Sequence, residues 1–248
     1  MKPFECIDTI AYEIAGYTVP NFNKEKNGDE YKISYLKDEH LIVAILSDGV
    51  SQQPCDWYAS ELVCEGFYQH FKNSDSNLSI EQRMFNCVLA TNKQLLQTED
   101  KCKRLAATLS VCVVDERNNQ VYWCNIGDSR IYLVFSDSVQ SITQDDVKEV
   151  KQIISSSKGS RTISQMQLTS CMGQANLHPT IQSGSLIAQA TLILASDGFY
   201  EARKASFFNK LVDFQRSEHF EEAFASLASS FEIMRDDDMS VIAIRRKP

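Results

Sequence analysis

The sequence has no long hydrophobic run. No apolar stretch approaches the ~20 residues that a membrane-spanning helix requires, and the N-terminal MKPFECIDTI lacks the continuous apolar core of a secretory signal. We therefore expect a cytoplasmic protein that makes no use of a membrane. The composition is otherwise that of an ordinary globular chain, with 248 residues, 43% hydrophobic positions and 23% charged positions.

An excess of positive charge, a histidine cluster and a paired-cysteine motif are also absent. The formal net charge of −8 argues against sequence-independent binding of nucleic acid, which needs a basic surface. The four histidines lie far apart and share no ligand spacing. The eight cysteines are scattered and contain no C-x-x-C, so we interpret them as buried free thiols in preference to a disulfide framework or a zinc site.

The chain shows no internal repeat and no linker rich in proline or glycine, which favours one domain over residues 1–248. Apolar patterns predict strands at about 8–19, 30–36, 40–47, 107–115, 120–126, 130–135, 190–196 and 239–245, and helices at about 56–72, 79–98 and 218–233. The polar, serine-rich stretch 144–167 predicts a mobile flap or a short helix in a long loop. Strand groups without regular βαβ alternation favour a mixed α+β domain of antiparallel sheets with helices on their outer faces.

Two strands end in the same way. LIVAILSDGV at 41–50 and TLILASDGFY at 191–200 are apolar runs that stop at Ser-Asp-Gly, so Asp48 and Asp197 each end a core strand. The glycine that follows lets the backbone turn sharply and leaves a carbonyl, such as that of Gly49, free to face an ion. A single Asp-Gly after a strand is usually only a turn. The repetition indicates two carboxylates that are delivered to one place.

Further acidic residues occupy strand ends. Asp29 lies in NGDEY before a strand, Asp128 lies in NIGDSRIYLV between two strands, and Asp236–Asp238 precede the last strand. Each has an ordinary explanation by itself, as a turn, a hairpin or a solvated acidic face. Gathered at one sheet end, however, such carboxylates repel each other unless a cation neutralises them. Because no Cys or His pattern competes, an all-oxygen site for Mg²⁺ or Mn²⁺ fits them best.

In their order along nearly the whole chain, these segments resemble the metal-dependent serine/threonine phosphatases of the protein phosphatase 2C family. The segments that carry the resemblance are NGDEY, ILSDGVSQQPCDWYASELV, AATLSVCVVD, NIGDSRIYLV, LILASDGFYE and DDMSVIAI. The paired segments SITQDD and QLTSCMG are similar to those that flank the flap of the family. The resemblance implies an α+β fold in which a central antiparallel β-sandwich is flanked by helices on both sides, in four αββα layers.

The resemblance also implies a set of metal ligands: Asp29, Asp48, Gly49, Asp128, Asp197 and Asp237. Asp48 would bridge two Mn²⁺ or Mg²⁺ ions with the Gly49 carbonyl on one of them, and Asp29 would hold water of the second ion. Asp197 and Asp237 would complete the pair, and Asp128 would bind a third, weaker ion. The implied reaction is hydrolysis of phosphomonoesters on a phosphorylated protein by a metal-activated water. We expect a monomer.

The chain departs from the family pattern at several positions. Lys24 stands where the family commonly has a phosphate-binding arginine, although Lys26 or a shifted register could fill that role. The family's Asp-Asn reads Asp237–Asp238, and its Gly-Thr-Thr reads Ala106–Thr108. A histidine that some members carry after the first Asp-Gly is absent. Two alternatives remain open: a catalytically weak pseudophosphatase that binds metal and phosphoproteins, and a non-catalytic β-sandwich interaction protein.

Overall fold

The computed structural model describes residues 4–50, 55–98, 102, 104–156, 159–185, 189–202, 206–232 and 236–247. This part of the chain contains thirteen strands: β1 Phe4–Asp8, β2 Tyr12–Val19, β3 Asp29–Leu36, β4 Leu41–Asp48, β5 Leu109–Asp115, β6 Gln120–Ile126, β7 Arg130–Val134, β8 Val139–Ser141, β9 Val147–Ser156, β10 Gly159–Leu168, β11 Gln182–Ser185, β12 Thr191–Ala195 and β13 Met239–Arg246. It also contains five helices: α1 Asp56–Lys72, α2 Ile80–Gln97, α3 Asp197–Glu201, α4 Phe207–Arg216 and α5 Phe220–Glu232.

Two antiparallel sheets pack face to face. One has the strand order β1-β2-β13-β12-β7-β8 and the other has the order β11-β6-β5-β4-β3. Side chains such as Ile14 and Ile242 from the first sheet and Ile42 and Val114 from the second form one buried cluster between them. The alternation of inward and outward residues along each strand builds this layer.

Helices cover both outer faces of the sandwich. α1 and α2 pack on the five-stranded sheet through buried residues such as Phe67 and Met84, and α4 and α5 pack on the six-stranded sheet through residues such as Leu211 and Phe224. The four-layer αββα α+β architecture is therefore confirmed. Among the described residues, no helix is both long and apolar enough to cross a membrane.

Local sequence explains several element ends. Ser79 caps α2 by accepting a hydrogen bond from the Gln82 backbone N–H, as its position before the apolar periodicity predicts. The Asn118–Asn119 turn joins β5 to β6, and Asn119 adopts a positive φ of 52°, which asparagine tolerates well. The strands predicted at about 107–115 and 120–126 therefore correspond to β5 and β6, which pair as a hairpin.

The stretch 144–167 is not a short helix, which was one of the two forms predicted for it beside a mobile flap. β9 and β10 form an antiparallel hairpin in which Leu168 lies opposite Val147, and this two-stranded sheet is separate from the sandwich. The sequence of these strands is polar and rich in serine, so it shows no apolar alternation from which strands could be predicted. The predicted strand at 8–19 is likewise two elements, because β1 and β2 form a hairpin around residues 9–11.

The cysteine interpretation is wrong for one pair. Cys55, at the start of α1, and Cys102 form a disulfide across a sequence separation of 47 residues, with Cα atoms 5.7 Å apart. Only the packing of the fold brings these positions together, so no local spacing could reveal them. The other six cysteines are free thiols, of which four are buried: Cys64, Cys87, Cys112 and Cys124.

Candidate metal centre

The first two predicted ligands face each other across a strand pair. β3 begins at Asp29 and its antiparallel neighbour β4 ends at Asp48, so the register places these two residues opposite each other. Thr108 fixes the end of β4 from the other side: its N–H donates to the Asp48 carbonyl at 2.7 Å, and its hydroxyl accepts from the Asp48 N–H at 3.0 Å. Gly49 follows, and the Asp56 backbone lies so close that a Cβ would not fit there.

The second sheet supplies the remaining carboxylates. β12 ends one residue before Ser196, so Asp197 opens the short helix α3. β13 pairs with β12 and places Asp237 just ahead of its first residue, Met239. β7 pairs with β12 on its other side, with Arg130 opposite Ala195, which sets the preceding Asp128 beside the same strand end.

A surface cavity of about 330 Å³ joins these residues. Its lining includes four of the predicted carboxylates and the predicted carbonyl donor: Asp48, Gly49, Asp128, Asp197 and Asp237. Asp29 is 1% exposed and lies behind Asp48, outside this lining. The C-terminal end of β10 forms one wall through Met166, Gln167 and Leu168, so the flap hairpin borders the carboxylates directly.

The carboxyl groups repel each other strongly. Burial raises the pKa of Asp48 well above its ordinary value, and the negative charges of Asp29, Asp197, Asp237 and Asp128 raise it further. Burial likewise raises the pKa of Asp197, with Asp237 and Asp128 adding to the rise and a hydrogen bond with Asp48 opposing it. Each of these carboxyl groups is therefore unfavourable to ionise unless a cation lies beside it.

Buried oxygens without a hydrogen-bond partner leave the site with donor atoms for a cation. Both carboxylate oxygens of Asp29 and Oδ1 of Asp197 are buried without a hydrogen-bond partner. The hydroxyls of Ser196 and Ser240 lie near enough to lower the pKa of Asp29 in part, although burial still raises it. Among the described residues, no three Asp, Glu, His or Cys side chains lie close enough together to hold a metal ion as they stand. The unpaired, all-oxygen donors nevertheless suit a hard divalent ion.

Lys24 lies apart from the cavity lining. Its ammonium donates to Asp238 Oδ2 at 2.6 Å and to Asp56 Oδ2 at 3.0 Å. Burial lowers the pKa of Lys24, but the hydrogen bonds to these two carboxylates outweigh it and hold the pKa above its ordinary value. Lys26, the alternative phosphate binder, places its ammonium 3.3 Å from the centroid of the Trp57 ring.

Sequence reasoning missed the residues that hold the ligands in place. The Thr108 hydroxyl also lies 2.8 Å from that of Ser129, which ties the end of β4 to the loop of Asp128. Asp146, at the base of the flap, accepts from the Gly127 N–H at 3.0 Å, and its own N–H donates to the Gly127 carbonyl. The arginine of the GDSR segment was a usable signal, since Arg130 makes a bidentate ion pair with Asp145.

Comparison with known proteins identifies the family of this chain. The family model described as "Protein phosphatase 2C" matches residues 22–240, which is most of the chain. The chain belongs to the protein phosphatase 2C family. This family consists of metal-dependent serine/threonine phosphatases, which use divalent ions such as Mg²⁺ and Mn²⁺.

Individual relatives of this phosphatase are distant in sequence. The serine/threonine phosphatase Stp1 from Staphylococcus aureus superposes with a TM-score of 0.78 at 20% identity, over 98% of this chain and 97% of that one. The S. agalactiae serine/threonine phosphatase gives 0.76 at 18% identity, over 95% and 100%. A putative protein phosphatase of Mycoplasma genitalium is 22% identical over 208 residues, which are 76% of this chain and 78% of that protein.

Proposed function

We propose that this phosphatase is an active Mn²⁺- or Mg²⁺-dependent enzyme that hydrolyses phosphomonoesters on serine or threonine residues of a protein. The observation that carries the proposal is the convergence of Asp48, Asp128, Asp197 and Asp237 on one cavity, with unpaired oxygens on Asp29 and Asp197. Asp48 would bridge two ions with the Gly49 carbonyl on one of them, Asp197 and Asp237 would complete the pair, and Asp29 would hold water. Asp128 would serve a third, weaker ion.

Bound divalent ions would supply two things there: a water of lowered pKa and neutralisation of charge on the phosphoryl oxygens. The chain's own residues do the rest. Asp48 and Asp197 would hold an ion as carboxylates, since a ligand carboxyl group must be deprotonated. The wall formed by Met166–Leu168 borders the cavity on the flap side.

The cytoplasmic location, the monomeric state and the phosphorylated protein partner stay predictions. The role of Lys24 as a phosphate binder also stays a prediction. Two carboxylates already contact its ammonium at 2.6 and 3.0 Å, so a phosphate would have to compete with both.

A second candidate function is that of a catalytically weak pseudophosphatase, a metal-containing module that binds phosphoproteins. The ion pairs of Lys24 favour this candidate, because they remove the one basic residue that the family pattern offers to the substrate. Retention of every predicted carboxylate ligand favours the active enzyme.

Steady-state hydrolysis of p-nitrophenyl phosphate and of a phosphothreonine peptide tests the proposal. We expect turnover with Mn²⁺ or Mg²⁺ and none with chelator, with kcat above ~1 s⁻¹. Stoichiometric Mn²⁺ binding without turnover of either substrate would favour the pseudophosphatase. A protein that neither binds Mn²⁺ nor hydrolyses these substrates would contradict both candidate functions.

A further inference from the structure

The carboxylate of Asp238 gathers three donors from a single loop. Residues 20–28 join β2 to β3 and lead directly into Asp29. Within this loop the Asn21 N–H donates to Asp238 Oδ1 at 2.8 Å, and the Gly28 N–H donates to Oδ2 at 2.9 Å. The Lys24 ammonium donates to the same Oδ2 at 2.6 Å. Since Asp238 is only 3% exposed, this is a buried and fully hydrogen-bonded carboxylate.

The contacts continue from this carboxylate to the candidate metal centre. The Gly28 carbonyl accepts from the Gly49 N–H at 2.9 Å, and Gly49 carries the carbonyl assigned to a metal ion. A Cβ on Gly28 would lie 2.6 Å from Asp238 Oδ2, so this close approach requires glycine. Asp237, the neighbour of Asp238, is itself an assigned ligand. The hydrogen bonds around the Asp238 carboxylate therefore help to position three assigned ligands: Asp29, Gly49 and Asp237.

Lys24 also connects the helix α1 to the Asp238 carboxylate. Its ammonium also pairs with Asp56, the first residue of α1, whose side chain is 15% exposed. Without Lys24, the carboxylates of Asp56 and Asp238 would face each other across Gly28, with the carboxylate of Asp237 near both. A buried carboxylate that loses its only cationic partner is strongly unfavourable.

We propose that Lys24, Asp56 and Asp238 form a positioning clasp, in which the lysine acts as counter-ion for two carboxylates and not as the phosphate clamp of the site. The clasp ties the loop 20–28, the start of α1 and the start of β13 together, and it sets the spacing of Asp29, Gly49 and Asp237. This inference rests on the proposed function where it concerns turnover. It explains two departures from the family pattern together, because the lysine at position 24 and the second aspartate at 237–238 are bonded to each other.

The test compares the wild-type protein with three variants. Lys24→Met removes the counter-ion and should lower kcat about tenfold with KM for p-nitrophenyl phosphate nearly unchanged. Asp238→Asn in the same chain removes the charge that needed it, so the double variant should recover kcat to within about threefold of wild type. A lysine that bound phosphate could not be replaced in this way. Lys32→Met, which breaks an exposed pair with Glu65, is the matched control and should leave kcat unchanged.

Two results would overturn the clasp: a double variant no faster than Lys24→Met alone, or a loss confined to KM and to inhibition by inorganic phosphate. A wild-type protein without turnover would contradict the proposed function instead. The clasp would then be decided by chemical unfolding of the same four proteins. Greater stability of the double variant than of Lys24→Met would support it, and equal or lower stability would overturn it.

Discussion

At the scale of single residues, the proposed chemistry depends on the carboxylates of Asp48 and Asp197. Asp48 is the last residue of β4 and Asp197 follows the end of β12 by two residues, and the residues before them in both strands are buried. Each carboxyl group has a pKa raised first by burial and then by its acidic neighbours. A divalent cation would offset both effects, because its two positive charges favour the ionised carboxylates.

The first prediction concerns these two residues. Asp48→Asn and Asp197→Asn should each abolish turnover, since an amide keeps the shape of the side chain but supplies neither the charge nor the basicity of a ligand. The measurement is kcat/KM on p-nitrophenyl phosphate with saturating Mn²⁺. Retention of more than about a tenth of the wild-type rate, a loss below ~1.4 kcal/mol, would show that the ligand assignment is wrong.

Thr108 gives a second prediction at this scale. Its buried hydroxyl accepts from the Asp48 N–H and contacts the Ser129 hydroxyl. Thr108→Val keeps the volume but leaves the Asp48 N–H without an acceptor, so kcat should fall about tenfold and the half-saturating Mn²⁺ concentration should rise. Thr108→Ser retains the hydroxyl and should recover most of the activity. Equal loss in both variants would indicate that packing, and not the hydrogen bond, is what matters.

At the scale of elements, hydrogen bonds and an ion pair join the base of the flap hairpin, β9 and β10, to the loop that carries Asp128. The base of the flap holds Gly127 through the backbone and side chain of Asp146. Arg130 pairs with Asp145 and stacks over the Tyr200 ring at 3.8 Å, and the Tyr200 hydroxyl donates to the Asp128 carbonyl at 3.0 Å. The flap therefore helps to fix where the Asp128 carboxylate stands.

The third prediction follows from this arrangement. Asp128→Ala should leave the tight binding of two ions intact while it slows catalysis, because the proposed function assigns Asp128 to a weaker ion beside the flap. Calorimetric titration with Mn²⁺, combined with steady-state kinetics, measures both effects. Asp137→Ala is the control. Asp137 lies at an exposed turn after β7, the strand that follows Asp128, and this variant should change neither the binding of Mn²⁺ nor the rate of catalysis. Loss of the tight sites in Asp128→Ala would contradict the assignment.

At the scale of the whole molecule, the acidic cluster links stability to pH and to metal. Burial raises the pKa of Asp29 from 3.8 to about 8 and that of Asp197 to about 6. A carboxyl with a higher pKa in the folded state binds more protons when folded. Its contribution to the free energy of unfolding is therefore complete below the unfolded value and is lost as pH rises through the folded value.

The fourth prediction is that the chelated protein becomes less stable as pH rises from about 5 to about 8, and that Mn²⁺ reverses this trend. Thermal unfolding midpoints across this range, with and without Mn²⁺, measure it. Asp29→Asn should flatten the profile of the chelated protein. A chelated wild-type protein whose midpoint rises steadily over the same range would contradict the burial of uncompensated carboxylates.

Prediction from the sequence succeeded for the elements whose apolar residues recur with the period of a strand or a helix. The apolar runs that end at Asp48 and Asp197, and the periodicity of α1, α2 and α5, predicted the main strands and these three helices. The four-layer arrangement was implied by the resemblance to the family. The polar, serine-rich sequence of β9 and β10 shows no such pattern. The Cys55–Cys102 disulfide and the contact of Lys24 with Asp238 join residues that are distant in sequence, and only the folded arrangement of the elements brings them together.

The central claim is that two sheets deliver their strand-end carboxylates to one binding site for divalent ions. Isothermal titration of the wild-type protein and of Asp48→Asn with Mn²⁺ tests it most directly. We predict that the wild-type protein binds two ions tightly and that Asp48→Asn loses both, because the proposed function assigns Asp48 to both ions. Tight binding of two ions by Asp48→Asn, or the absence of tight binding by the wild-type protein, would contradict the claim.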